Sequence, residues 1–344
     1  MELKEKIAAF AELGRFLEAA GTGEDRREGF EAAIRKAGLY NGWFTEENIR
    51  YALLSLGKML RKGDLEKWAG RYEQLQGEPA QPRPVGVIMA GNIPVVGFHD
   101  LLCVLISGHF FKGKLSSDDA FLLPAITEVL CQIAPAFRER ITFLEGKLEK
   151  IDAVIATGSN NSSRYFEYYF SKYPHIIRKN RNSAAVLTGK ETAEELDKLG
   201  EDIFRYFGMG CRSVSKLFVP KGYDFGDLFK AVFSWKDIIQ NNKYANNYEY
   251  NRTIYLMSRA NILDNNFLLL KEDIGMHSPV AVVYFEYYED QEKLLAKLKM
   301  DAGDIQCLVS SRSIPGALPF GTTQQPALWD YADRVDTLKF LLEL

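Results

Sequence analysis

Apolar residues recur every third or fourth position over 2–20, 26–38, 46–60 and 64–75, with polar residues between them. That period predicts amphipathic helices through the first 80 residues. Thr45 and Asp64 stand where helix N-caps are wanted. The pattern breaks at QGEPAQPRP, because Pro79, Pro82 and Pro84 each disfavour helix. This stretch reads as the connection into a first sheet. Beyond it the period changes. VGVIMA is a short buried-strand run, VVGFHDLLCVLISG is helical, HFFKGKL reads as strand and DDAFLLPAITEVLCQIA as helix. RITFLEG and IDAVIATG follow as strands, ahead of SNNSSRYFEYYFSKY. A second series begins after residue 211, with SKLFVP, VAVVYFEYY and IQCLVS as strands and FGDLFKAVF and DQEKLLAKLKM as helices. Strands alternating with helices predict βαβ units and mostly parallel sheets. The expected architecture is α/β, with two doubly wound, Rossmann-like domains and a cleft between them, preceded by a helical N-terminal segment.

At 344 residues the chain is comfortable for two domains. Its formal net charge of −3 supplies no basic field to recruit a phosphate backbone, so nucleic acid is not an expected partner. The longest nearly apolar stretch, LLCVLISGHFF, is too short to span a bilayer and runs into Lys112. The charged start, MELKEKIAAFAELGRFLEAA, lacks the pattern of a signal peptide. Cys103, Cys131, Cys211 and Cys307 are scattered, as are His99, His109, His175 and His277. Neither a disulfide framework nor a metal site is expected from such spacing, and a reducing, cytoplasmic location fits.

Four places carry candidate chemistry. In YFGMGCRSVSKLFVP, Cys211 occupies a glycine-flanked turn between a helix and a strand. It reads either as a small apolar filler or as a nucleophile whose sulfur is within reach. In IATGSNNSSRYF, Gly158 and Ser159 end a strand and open a helix. Free N–H groups there suit a phosphate or a nicotinamide, and a helix cap by Ser159 or Asn160 is the equal alternative. Lys114, in GHFFKGKLSS, ends a strand where doubly wound folds bind ligands, or is a solvated surface cation. Asn92, in MAGNIPVVGF, offers an amide at the carboxyl end of a strand, as an oxyanion donor or as a turn residue.

In their order, AGNIP, GHFFKGKLSS, ATGS, GMGC, SPVAVVYF and LPFG resemble the landmarks of the aldehyde dehydrogenase superfamily. The resemblance runs from about Val85 to the C-terminus. It is closest to the fatty acyl-CoA reductases that include the reductase supplying aldehyde to bacterial luciferase. The resemblance implies that Cys211 is the thiolate that becomes acylated, with Asn92 and the Cys211 amide as donors to the oxyanion. It implies a cofactor, NADPH or NADH, held by Lys114, Ser116, Ser117, Gly158 and Ser159, with Glu272 at the nicotinamide ribose.

Two departures sharpen this reading. Hydrolytic relatives carry a water-activating glutamate about two dozen residues past the Gly–Ser turn, where HIIRKNRNSAAVL here has no carboxylate. An acyl-enzyme without that base survives to exchange with a thiol. Ser117 stands where a ribose-binding glutamate is common, which favours NADPH, against the nearby Asp118 and Asp119. The implied reaction reduces an acyl-CoA to its aldehyde, and the backbone amides and Arg212 are the groups expected to lower the Cys211 pKa.

The implied division is a helical segment over 1–80 packed on the cofactor domain, a nicotinamide-cofactor domain over 81–190 and a catalytic domain over 191–330. Residues 331–344 remain as a possible oligomer contact, with TLKFLLEL as a candidate edge strand. A homo-oligomer is expected. The aromatic runs SSRYFEYYFSKY and VVYFEYYED read as core and interface, or as an acyl-chain channel. Alternatives are an acyl group delivered by a transferring protein partner, and a non-catalytic subunit that keeps the fold.

Overall fold

A computed structural model of the chain describes residues 1–77, 81–311 and 314–344. Pro79, one of the three prolines expected to break the helical pattern, lies outside the described residues. The chain forms two compact units, residues 1–180 with 325–344, and residues 181–324.

The first unit opens with α1 (Leu3–Thr22), α2 (Glu28–Tyr40), α3 (Glu46–Met59) and α4 (Lys62–Ala69). Thr45 caps α3 by accepting from the Asn48 amide. Asp64 does not cap: α4 starts from Arg61, and the carboxylate lies within its first turn, where the helix dipole still favours it. The sheet is built from β1 (Pro84–Ile88), α5 (Phe98–Ile106), β2 (Phe110–Lys114), α6 (Leu122–Ile133), β3 (Ile141–Phe143), β4 (Ala153–Thr157), α7 (Asn160–Phe170) and β5 (His175–Arg178). Its order is β3-β2-β1-β4-β5, all parallel. Val85, Val87, Val154 and Ile155 are fully buried, as expected of strands covered on both faces.

The second unit contains β6 (Asn182–Val186), α8 (Ala193–Phe204), β7 (Val214–Pro220), α9 (Gly226–Ala231), α10 (Asn242–Met257), β8 (Ile262–Asp264), β9 (Leu269–Glu272), β10 (Val282–Tyr288), α11 (Gln291–Met300) and β11 (Ile305–Ser310). The strands run in the order β11-β6-β7-β10-β9-β8, parallel except for β8 against β9. Helices α8 and α9 cover one face through Leu196, Leu199, Ile203 and Leu228. Leu294 and Leu298 of α11 cover the other.

The chain then returns to the first unit and ends in α12 (Thr337–Leu342). TLKFLLEL is therefore helix, not an edge strand: Asp336 caps it at the Lys339 amide, and Leu338 and Leu341 are fully buried. Arg178, at the end of β5, makes paired bonds of 2.7 and 2.8 Å to Asp100 of α5 and donates to the Thr337 hydroxyl at 2.9 Å. That buried pair ties α12 to the sheet. No helix among the described residues is long and apolar enough to cross a membrane.

Candidate active site

In the first sheet the chain runs outward from β1 through β2 to β3 on one side, and through β4 to β5 on the other. The reversal falls between β1 and β4. Doubly wound sheets bind ligands at the carboxyl ends of the strands flanking such a switch point. Asn92 lies in the loop after β1, Gly158 and Ser159 follow β4, and Lys114 closes β2. The topology thus brings four of the proposed residues to one edge of the sheet.

Close packing holds this edge together. A Cβ on Gly91 would meet Ser116 Oγ at 2.6 Å and Ser116 Cβ at 2.7 Å, so the Asn92 turn rests directly on the Ser116 turn. A Cβ on Gly158 would meet Phe166 and Ser162 at 2.9 Å each, so the β4 end sits tight on the first turn of α7. Ser159 is the N-cap of α7 and accepts from the Ser162 amide at 3.2 Å. Ser116 accepts from the Asp118 amide at 3.2 Å, and Ser117 and Asn92 are exposed. Lys114 is half-buried, and no salt bridge to its ammonium forms among the described residues. Lys114 closes β2 and the α7 N-terminus follows β4, with β1 between the two strands.

The sequence reading weighed one residue of this edge, Asp119, only as a charge close to Ser117. Asp119 turns inward and accepts from the Val95 amide at 2.6 Å. Val95 has φ 56°, a left-handed conformation that a β-branched side chain adopts only at a cost. Asp119 therefore holds the strained loop that carries Asn92. Burial pushes its carboxyl up to about 6, against the pull of the Val95 and Leu122 amides.

In the second unit, Cys211 is exposed while Cys103, Cys131 and Cys307 are buried. The apolar-filler reading fails on that difference. Cys211 occupies the corner of a turn closed by Ser213 N–H donating to the Gly210 carbonyl at 2.9 Å. Gly210 N–H donates in return to Ser213 Oγ at 3.2 Å. The Ser183 hydroxyl donates to the Cys211 carbonyl at 3.1 Å and accepts from the Cys307 amide at 3.1 Å.

Immediately before the turn, Tyr206, Phe207 and Gly208 have φ values of 55, 58 and 74°. Left-handed backbone costs each aromatic about 1–2 kcal/mol. Burial of both side chains, with the Phe207 ring 6.0 Å from Tyr244, offsets it. Arg212 reaches the Cys307 sulfur at 3.3 Å. Glu272 is exposed at the end of β9, level by register with Phe285. It stands two strands from β7, apart from the Cys211 turn. The neighbouring Asp273 carbonyl accepts from the buried Lys216 ammonium, which is also paired with Glu286 at 3.1 Å. Ser183 and Ser213 escaped notice because lone serines carry no pattern; only the folded chain sets them around Cys211.

Two doubly wound, mostly parallel sheets, the second with an exposed cysteine in the turn that leads into β7, define an α/β protein of the aldehyde dehydrogenase fold. Solved structures agree. An E. coli NADP-dependent enzyme is 13% identical with a TM-score of 0.67, over 90% of this chain and 73% of that one. Aldehyde dehydrogenase 21 from Physcomitrella patens, in complex with the reaction product succinate, is 13% identical with a TM-score of 0.66, over 90% and 73%. An aldehyde dehydrogenase from Bacillus cereus, in complex with NAD+, is 13% identical with a TM-score of 0.65, over 92% and 73%. No curated protein sequence matches. The acyl-CoA reductase (LuxC) family matches over residues 32–228, more than half of the chain, and the chain belongs to that family. It is an oxidoreductase of aldehyde chemistry, a reductase or dehydrogenase.

Proposed function

We propose that the chain reduces an acyl-CoA to the aldehyde with NADPH or NADH, through an acyl-enzyme on Cys211. The observation that carries this is the single exposed cysteine, held at a turn corner by Ser183 and Ser213 and preceded by two left-handed aromatic residues. Strain of that kind persists where the surrounding structure enforces it, and functional sites are where it concentrates. In the first half-reaction the Cys211 thiolate adds to the thioester carbonyl, the bond to the CoA sulfur breaks, and CoA leaves as the thiolate. In the second, a hydride and a proton convert the acyl-enzyme to a thiohemiacetal. The bond between the former carbonyl carbon and Cys211 Sγ then breaks as the hydroxyl proton leaves, which releases the aldehyde and restores the Cys211 thiolate. Asn92 and the Cys211 amide are the proposed oxyanion donors.

Lys114, Ser116, Ser117, Gly158 and Ser159 would hold the dinucleotide, with Glu272 assigned to the nicotinamide ribose. When bound, the nicotinamide supplies the hydride. Residues 175–187 form β5, β6 and their connection without a carboxylate, which supports exchange with a thiol over hydrolysis. The four cysteines, none in a disulfide among the described residues, support a reducing, cytoplasmic location. Exposed Leu256 and Met257 on α10 and Leu263 on the edge strand β8 support a homo-oligomer.

The test follows loss of reduced-nicotinamide absorbance with a series of acyl-CoAs, using NADPH and NADH in parallel and Cys211→Ala as control. Turnover abolished by Cys211→Ala is the expected result. Cofactor binding without turnover on any acyl-CoA would redirect the reading to an acyl group delivered by a protein partner. Neither binding nor turnover would leave a non-catalytic subunit.

A further inference from the structure

Asp202 is fully buried on α8, beneath the LPFG segment that the proposed chemistry leaves without a task. Its two oxygens take three donors. Gly321 N–H donates to one at 2.7 Å, and the Thr323 amide and hydroxyl donate to the other at 3.0 and 2.7 Å. Gly321 has φ 79°, so the segment turns sharply over the carboxylate. The next residue, Gln324, is buried and donates from its side-chain amide to Ser213 Oγ at 3.3 Å. The same oxygen accepts the Gly210 amide of the Cys211 turn. A continuous path thus runs from the carboxylate through 321–324 to the peptide groups that flank Cys211. The carboxylate has donors but no cation among its bonded partners, and burying such a charge is a costly way to pin a loop. An apolar contact would anchor the segment at less cost. Three bonds to a fixed carboxylate set its direction, which an apolar contact would not.

We propose that Asp202 is a positioning residue for Cys211, acting through Thr323, Gln324 and Ser213. This rests on the reading of Cys211 as the nucleophile. The test measures three quantities in the full-length protein: the rate of Cys211 alkylation by iodoacetamide, read on its peptide by mass spectrometry; kcat and KM for acyl-CoA reduction; and the Kd for NADPH. Asp202→Asn keeps the shape but turns a donor toward donors. It should slow both alkylation and kcat roughly tenfold, the scale of a small misplacement of a reacting group. KM and the NADPH Kd should stay within about twofold, because the change removes no binding contact.

Gln324→Met, which leaves the Asp202 bonds in place, should slow alkylation in the same direction. Gln324→Met alkylating at the wild-type rate overturns the proposal, whether or not Asp202→Asn folds. A folded Asp202→Asn with unchanged alkylation does so as well. Wild-type protein that reduces no acyl-CoA, yet whose Cys211 alkylation still depends on Asp202 and Gln324, would sink the reductase reading and leave the positioning role standing.

Discussion

Gly91 separates two turns that a single methyl group would drive apart. Its Cβ would lie 2.6 Å from Ser116 Oγ and 3.0 Å from Asp118 Cβ. Gly91→Ala is expected to destabilise the protein by about 1–3 kcal/mol, and to weaken NADPH binding and turnover together, because the Asn92 and Ser116 turns shift. Urea unfolding beside NADPH titration checks both. Cys211, which is exposed, behaves oppositely: Cys211→Ala should abolish turnover while changing the unfolding free energy by no more than about 0.5 kcal/mol, the usual bound for surface changes. Residue identity made Cys211, Asn92 and Lys114 visible in the sequence because glycine and proline punctuate the strand ends around them. Asp119 and Asp202 were not visible as positioning groups, since the amides they accept belong to residues up to 121 positions away.

At the scale of elements, Ser159 caps α7, and the resemblance also assigns it to the cofactor. These roles separate by measurement. Ser159→Ala should cost about 1 kcal/mol of stability through loss of the cap. A cofactor contact would add a several-fold rise in the NADPH Kd, which the cap alone does not require. The C-terminal helix offers a second test. Leu341 is fully buried, and His109 Nε2 lies 2.8 Å from its carbonyl oxygen. Leu341→Ala should destabilise by about 2–5 kcal/mol in urea unfolding.

Strong apolar periods made α1, α3, α6, β1, β4 and β7 legible from sequence. Short strands such as β5, β8 and β9 carry too few residues for a period to show. TLKFLLEL misled because six helical residues span under two turns, and its cap, Asp336, was the only local sign of helix.

For the whole molecule, Asp119 in the first unit and Asp202 in the second are both buried, and burial pushes both up to about 6. Between the ordinary carboxylate value and 6 the folded chain therefore binds more protons than the unfolded chain. Their contribution is fully present below about pH 4 and is lost as pH rises through 6. Each costs roughly 2–3 kcal/mol by pH 7. Asp273, Glu128 and Glu194, held down by cationic partners, act in the opposite sense at lower pH. The expected outcome is that Asp119→Asn with Asp202→Asn reduces the fall in urea midpoint between pH 5 and 7; an unchanged pH slope would refute it.

The sequence by itself determined the α/β class, the helical start, the order of landmarks that marks the family, and Cys211 as the nucleophile to test. These are properties of local period and residue identity, which neighbouring positions encode. Only the tertiary structure decided that the chain returns to its first unit through α12. It also placed the β1 and β4 ends at the switch point, with the β2 end next to β1, and set Ser183, Ser213 and Gln324 around the Cys211 turn. Those contacts join residues far apart in the chain, and strand order and burial, not local pattern, bring them together.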